Sequence, residues 1–207
     1  MTDKDQTDST DLFSMPVRDF LAAVADKTPT PGGGSVAGVV AGLAVALGEM
    51  ALNYTRGKKS FAEHQQLHEH LAGRLGRARE MCLGLVAEDV QAYQLYVEAK
   101  QMPAGADKDA AVQLALSAAI DVPRELAKVC LAVLNDLQSL TDKCNPHLVS
   151  DLRSGASLAE AAVRLCHYNV EINAAGLIDR QAAEEVVASS QWDLGKAKEL
   201  LENIENG

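Results

Sequence analysis

Aromatic residues are scarce in this chain of 207 residues, where Phe, Trp and Tyr together make up only 4% of the sequence. Ala is far more common than Val or Ile in the apolar stretches, so the residue types that favour β-strands are few. The chain is 47% hydrophobic and 23% charged, with a mean hydropathy of −0.06, values typical of soluble globular proteins. These features predict an all-α fold, a bundle of long antiparallel helices around one buried helix rich in Ala and Gly.

Positive charge is also in deficit. Nineteen Lys and Arg residues stand against twenty-nine Asp and Glu residues, which gives a formal net charge of −10. A chain of this charge has no overall field to hold a phosphate backbone. We therefore expect no nucleic-acid partner.

The cysteines form no C-x-x-C pair, which argues against both a zinc cage and a disulfide framework. Reduced thiols and a cytoplasmic location are the expectation, with no membrane partner. Residues 1–12 are polar and acidic, unlike a signal peptide, and are predicted to be a disordered N-terminal tail before a single domain at residues 13–207. The four cysteines are Cys82, Cys130, Cys144 and Cys166.

Helical signals recur along the chain. Ser14 is predicted to cap a first helix that ends near Lys27 and carries an apolar stripe of Val17, Phe20, Leu21 and Val24. Residues 36–48 contain no polar side chain, and this run is too short to span a bilayer, so it predicts a buried core helix. Small residues at Gly34, Gly38, Gly42 and Ala46 predict that one strip of this helix packs unusually close to a neighbour.

Later helices are marked by caps and prolines. Ser60 and Glu63 form a predicted capping box, after which no proline occurs before Pro103, so a helix of roughly forty residues is expected. A kink or short break is predicted at Pro123. Asp179 is expected to cap a last helix or helix pair.

The glycine-rich turn at residues 32–35 opens the apolar helix, so its free backbone N–H groups make a candidate anion or carbonyl site. Gly32, Gly34 and Ala37 match G-x-G-x-x-A, but no βαβ pattern surrounds them, and residues 57–60 resemble a Walker A ending without its first glycine. Both nucleotide interpretations are set aside. A tight turn that serves helix packing alone remains the alternative.

Asp89 is the candidate catalytic group. The apolar stripe of the long helix continues from Cys82 and Leu85 through position 89 to Tyr93, which places this carboxyl on the apolar side. Burial without a compensating cation raises the pKa of a carboxyl, and such a group suits proton transfer near neutral pH. The alternative is a structural partner for an arginine or a helix-end amide.

Three further groups invite a binding role. Arg56, Lys58 and Lys59 form a basic corner, which is either a solvated loop or a seat for a carboxylate-bearing ligand. Asn169 and Asn173 share one helix face, so their amides contact either a ligand or another helix. The histidines at 64, 68 and 70 lack the H-E-x-x-H order of a zinc site. We expect them to lie on a solvent-exposed surface of the protein and not to bind a metal.

Together these motifs resemble the family of cyclodeaminases and methenyltetrahydrofolate cyclohydrolases, which includes the C-terminal domain of formiminotransferase-cyclodeaminase. The resemblance spans about residues 13–179. It rests on FLAAVADKTPTPGGGS, on Thr-Arg-Gly-Lys-Lys at 55–59, on D-x-x-A-Y at 89–93, on Val122-Pro123, on Asn145 with Ser150-Asp151, and on N-V-x-I-N at 169–173.

The resemblance implies an enzyme of one-carbon metabolism that hydrolyses 5,10-methenyltetrahydrofolate to 10-formyltetrahydrofolate, or catalyses the reverse closure. A formiminotetrahydrofolate cyclodeaminase that releases ammonia, and a helical dimer that binds folate without turning it over, are the alternatives. It also implies a homodimer or dimer of dimers and no metal or redox cofactor. The expected site combines Asp89 as the catalytic residue with substrate-binding Gly32, Gly33, Gly34, Ser35, Arg56, Lys58, Lys59, Asn145, Asp151, Asn169 and Asn173.

Overall fold

The computed structural model describes residues 12–207, a range that contains six α-helices, two 3₁₀ helices and no β-strand. The all-α prediction is confirmed, and the predicted tail lies outside the described residues except for Leu12. The α-helices are α1 (Val17–Ala25), α2 (Gly33–Asn53), α3 (Gln65–Gln101), α4 (Ala106–Gln138), α5 (Val149–Ala174) and α6 (Arg180–Asn206), and the 3₁₀ helices are Lys59–His64 and Pro146–Leu148.

Helices α2 and α5 form the centre of the bundle. Helix α5 packs against α2, α4 and α6, while α3 packs against α2 and α4. Helices α3 and α4 are joined by residues 102–105 alone, and so short a connection makes packed neighbours antiparallel. The main core is built largely from Ala, Leu and Val of α2 to α6, consistent with a sequence poor in aromatics.

Helix α2 is the one helix within residues 12–207 that is long and apolar enough to cross a membrane. Half of its most apolar window is buried inside the bundle, as in a core helix. Its inner face carries Ala37, Ala41, Ala44 and Val45, each about 1% exposed. The outer face carries Leu43, which is 53% exposed.

The small-residue strip of α2 is only partly a packing surface. A Cβ atom at Gly34 or Gly38 would overlap the side chain of Asp89 or Val86 on α3, so the predicted close approach is confirmed for these two glycines. At Gly42 nothing lies within 4 Å of such an atom, and Ala46 is exposed. The predicted close approach is therefore wrong for the second half of the strip, where no neighbouring helix of the described residues contacts Gly42 or covers Ala46.

The predicted capping box and the predicted break at Pro123 are both absent, whereas a kink at this proline stays a prediction. Ser60 and Glu63 do not cap α3, since residues 59–64 form a 3₁₀ helix with non-helical angles at Phe61, and α3 starts at Gln65. Helix α4 runs through Pro123 without a break, because this buried proline packs into the bundle and packing compensates for the lost backbone hydrogen bond. The Asp179 cap is confirmed by its side-chain bond to the N–H of Ala182 at 3.0 Å, and a single helix follows.

Helix α1 lies apart from the bundle. Its N-cap is Pro16 instead of the predicted Ser14, and it ends at Ala25. None of its residues is buried, and its apolar stripe faces outward, with Val17 75% and Leu21 62% exposed.

Candidate active site

Asp89 lies where α3 meets the first turn of α2. Ser35, which is 0% exposed, donates a hydrogen bond from Oγ to Oδ2 of Asp89 at 3.0 Å. The backbone of Ser35 also bonds the same carboxylate. The predicted position of Asp89 on the apolar side of its helix is confirmed, since its side chain is partly buried between two helices.

Two opposing effects set the proton affinity of Asp89. Burial raises the pKa of this carboxyl above its ordinary value, while the side-chain and backbone hydrogen bonds from Ser35 lower it. Burial is the larger effect, so the net direction is upward. No cation within residues 12–207 forms an ion pair with Asp89 to reverse that direction.

The glycine turn makes this contact possible. A Cβ at Gly34 would overlap the carboxylate of Asp89, so only glycine allows the acid to approach the helix start so closely. No side chain caps α2 at Gly32, which leaves backbone N–H groups of the first turn available to a bound molecule. The turn and the acid therefore form one surface with donors beside a proton acceptor.

A cavity of about 350 Å³ opens over this surface. Its floor is the turn, and its walls come from α3, α4 and α5. The lining contains no basic side chain. It comprises Pro29, Thr30, Gly32, Gly33, Gly34, Asp89, Tyr93, Tyr96, Leu116, Ala119, Asn169, Ile172, Asn173 and Gly176.

Both predicted asparagines line the cavity. Asn169 donates from Nδ2 to the carbonyl of Leu165 at 2.8 Å, and Asn173 donates from Nδ2 to the carbonyl of Ala119 at 2.9 Å. The Asn169 amide also lies against Gly33, where a Cβ would come within 3.7 Å of Nδ2. Asp89 and Asn169 thus flank the same turn from opposite helices.

The basic corner lies at the other end of α2. The helix has 21 residues, which separates its two ends by about 30 Å. Arg56 pairs with Glu69 at 3.4 Å, while Lys58 and Lys59 are exposed and form no ion pair within the described part of the chain. Within one chain, this corner does not line the cavity.

Asn145 and Asp151 also lie at that far end. The N–H of Asn145 donates to Oγ of Thr55 at 2.9 Å, and its side chain caps the 3₁₀ helix through the N–H of His147. Asp151 is in the first turn of α5 and partly buried. The structure thus divides the predicted site into a cavity group and a far-end group.

Several wall residues are not among the predicted site residues. Tyr93 and Tyr96 follow Asp89 by four and seven positions, a spacing that places them on its face of the helix and is visible in the sequence. Leu116, Ala119 and Ile172 are brought in by packing alone. Ile172 is 72% exposed and stands at the mouth.

The three histidines differ in exposure, since His64 is partly buried, His68 is buried and His70 is exposed. Within residues 12–207, no group of three or more His, Cys, Asp or Glu side chains is placed to hold an ion. His68, expected at a wet surface, is fully buried and donates from Nε2 to the carbonyl of Lys143 at 2.9 Å. All four cysteines are free and buried, and burial raises the pKa of Cys82 to about 11 and that of Cys166 to about 12.

Comparison with known proteins identifies relatives along nearly the whole chain. A methenyltetrahydrofolate cyclohydrolase of Methylorubrum extorquens is 32% identical over 91% of this chain and 93% of its own length. The formimidoyltransferase-cyclodeaminase of Dictyostelium discoideum is 30% identical over 93% of this chain, which spans 37% of that protein. The crystal structure of formiminotetrahydrofolate cyclodeaminase from Thermotoga maritima superposes with a TM-score of 0.83 at 27% identity, covering 94% of this chain and 98% of its own.

The family model described as formiminotransferase-cyclodeaminase matches residues 16–191, a range that includes the turn, Asp89 and both asparagines. These matches agree with the all-α fold and with the cavity at the start of α2. The chain therefore belongs to the formiminotransferase-cyclodeaminase family.

Proposed function

We propose that this chain hydrolyses 5,10-methenyltetrahydrofolate to 10-formyltetrahydrofolate and catalyses the reverse closure. The observation that carries the proposal is the Asp89 carboxyl, whose pKa is raised by burial, facing a cavity at the glycine turn. The cyclohydrolase relative matches over 93% of its own length, which supports this activity for a chain of this size.

The chemistry needs one group that first accepts and then returns a proton. The methenyl carbon between N5 and N10 is an amidinium-like electrophile, and water adds to it. Asp89 accepts one proton of that water and then delivers it to N5 as the bond from the carbon to N5 breaks. The remaining hydroxyl proton leaves to solvent as the C=O bond of the formyl group forms, so the overall reaction releases one proton. A carboxyl with a raised pKa suits both halves of this cycle.

The turn contributes binding and charge stabilisation in this proposal. Backbone N–H groups of Gly33 and Gly34 stabilise the oxygen that develops on the attacked carbon. The N–H and hydroxyl of Ser35 are directed at Asp89, so Ser35 orients the acid. The reaction changes no oxidation state and water is its only co-reactant, so the proposal needs no redox cofactor, and it assigns no step to a metal.

The basic corner receives a role if the protein is a homodimer or a dimer of dimers. The glutamate tail of folate carries carboxylates, which Arg56, Lys58 and Lys59 are suited to bind. In one chain this corner is about 30 Å from the acid. A second copy packed antiparallel along the outer face of α2, near exposed Leu43, would place its own corner beside the cavity.

Mixed dimers test that arrangement. Asp89→Asn subunits and Lys58→Ala/Lys59→Ala subunits each carry one defect, and a mixed dimer contains one intact site if the site is shared between copies. Activity at low substrate should then exceed the sum of the two separate preparations. No gain on mixing, or a monomer in sedimentation, would show that each chain works alone.

The cyclodeaminase reaction is the second candidate. It is supported by the superposition on the Thermotoga maritima enzyme. In the 5-formimino compound, N10 attacks the same carbon and ammonia leaves, so Asp89 could transfer the proton in this reaction too.

We also propose that the protein is cytoplasmic, where a reducing environment keeps four buried thiols free.

One preparation assayed for both reactions tests the proposal. Decay of the methenyl absorbance on adding enzyme is the expected result, and Glu88→Gln, which changes an exposed neighbour of Asp89, is the matched control. Ammonia release from 5-formiminotetrahydrofolate without methenyl decay would favour the deaminase. Binding without either reaction would leave only a folate-binding protein and reject catalysis.

A further inference from the structure

Pro123 leaves one carbonyl of α4 without its helical donor. In a continuous α-helix the N–H of residue 123 would bond to the carbonyl of residue 119, but proline has no N–H. In a helix the proline ring also clashes with the carbonyl of the residue four positions earlier, which weakens the hold of the helix on that carbonyl. The carbonyl in question belongs to Ala119, which lines the cavity.

Asn173 of α5 takes the place of the missing donor. Its Nδ2 donates to the carbonyl oxygen of Ala119 at 2.9 Å, a contact between positions 54 residues apart. A carbonyl oxygen accepts hydrogen bonds only, so the NH₂ side of this amide must face α4. The orientation of the Asn173 amide is thereby determined by Pro123.

The oxygen of the Asn173 amide is not used in this contact. Oδ1 of Asn173 accepts no hydrogen bond from the residues that the structure describes, and the side chain lines the cavity. Asn169 donates to the carbonyl of Leu165, one turn earlier in its own helix. With Asp89, the two asparagines give the cavity wall amide and carboxylate oxygens that accept hydrogen bonds, and no basic side chain lines it.

We infer that Pro123 is a positioning residue, which orients Asn173 through the Ala119 carbonyl so that Oδ1 accepts a hydrogen bond from an N–H edge of the ligand. The inference rests on the proposed function for the ligand's identity. A reduced pterin carries such an edge in its 2-amino group, N3–H and N8–H. Pro123 itself touches no ligand and acts only through the amide.

Pro123→Ala tests this inference without removing any group from the cavity. Alanine restores the N–H, draws the Ala119 carbonyl back into the helix and frees the Asn173 amide to rotate. The Kd for 5-formyltetrahydrofolate, measured by calorimetry, should rise about three- to tenfold, the range for loss of one oriented hydrogen bond. KM for the methenyl substrate should rise by a similar factor while kcat changes little, because the Asn173 amide takes no part in the proposed proton transfer.

A double-mutant cycle separates this role from a purely structural one. Asn173→Ala should weaken binding at least as much as Pro123→Ala, and the double variant should bind no worse than Asn173→Ala alone. Asn173→Asp, which keeps the shape but loses the donor, should also bind weakly. Asn135→Ala is the matched control, since it removes an exposed α4 amide bonded to the Leu131 carbonyl at 2.7 Å, away from the cavity.

The outcomes distinguish the inference from the proposed function. Unchanged Kd and KM in a folded Pro123→Ala protein, or fold-changes that multiply in the double variant, would overturn the inference while leaving the activity in place. A wild-type protein that binds 5-formyltetrahydrofolate and follows the predicted cycle, but does not consume the methenyl compound, would support the inference and reject the hydrolase. A wild-type protein without affinity for that ligand would overturn both.

Discussion

The Ser35 hydroxyl donates to Oδ2 of Asp89 at 3.0 Å, across 54 residues of sequence, and this contact ties the acid to the start of α2. Ser35 is completely buried, so its hydroxyl serves the carboxylate instead of facing a ligand. Its side-chain and backbone hydrogen bonds both favour the ionised form of Asp89, against the effect of burial. Ser35 therefore tunes the acid that the proposed reaction uses.

Ser35→Ala should shift the pH dependence of the reaction. The hydroxyl stabilises the ionised carboxylate, so without it the pKa of Asp89 should rise further. The acidic limb of kcat/KM should then move to higher pH. The pH–rate profile of wild type and variant measures this shift. Ser139→Ala, at the exposed residue that follows the end of α4, is the control, and superimposable profiles for Ser35→Ala and wild type would contradict the role.

Asp89→Asn should lose activity and gain stability at neutral pH. General acid-base catalysis contributes at least about a hundredfold, so kcat should fall by that factor or more. Because the folded-state pKa of Asp89 is raised, the contribution of this group to wild-type stability is greatest below its unfolded pKa and is lost as pH rises through its folded pKa. The asparagine side chain does not ionise, so Asp89→Asn does not lose this stability as pH rises.

Urea denaturation across pH checks the stability half of this prediction. The advantage of Asp89→Asn over wild type should be present at pH 7 and should vanish as pH falls below the ordinary Asp value. A variant that is less stable than wild type at pH 7, or that turns over normally, would contradict the assignment of Asp89.

Gly34→Ala should displace the acid. The added Cβ would overlap the Asp89 carboxylate, so kcat should fall although alanine is the better helix former. Gly84→Ala on α3 is the matched control, because nothing lies within 4 Å of its added Cβ and the site is exposed. That control should gain about 0.5–1 kcal/mol of stability with unchanged kcat. Full activity in Gly34→Ala would disprove the close approach.

Lys58→Ala together with Lys59→Ala should raise KM for a polyglutamylated substrate and reduce its dependence on salt. Exposed cations that bind carboxylates are screened by added ions, so removing them removes the salt effect. KM measured between low and high ionic strength, with mono- and polyglutamate substrates, checks this. Lys198→Ala on α6 is the control, and equal KM values for both substrates in the lysine variant and wild type would reject a tail site.

Much of the fold could be read from local pattern. The long α3 and the Asp179 cap follow from periodicity and from capping residues, both of which act within a few positions. The continuation of α4 through Pro123 has the opposite origin, because packing of this buried proline outweighs its local cost of about 3 kcal/mol.

The sequence by itself determined that the chain is helical, that Asp89 lies on the apolar face of its helix, and that a glycine turn opens α2. Only the tertiary structure decided that Ser35 bonds Asp89, that Asn173 meets the carbonyl exposed by Pro123, and that the basic corner lies far from the acid within one chain. The physical reason is the distance along the sequence over which each interaction acts. Periodicity within a few residues specifies which face of a helix is apolar, whereas the partner of that face depends on how helices distant in sequence pack.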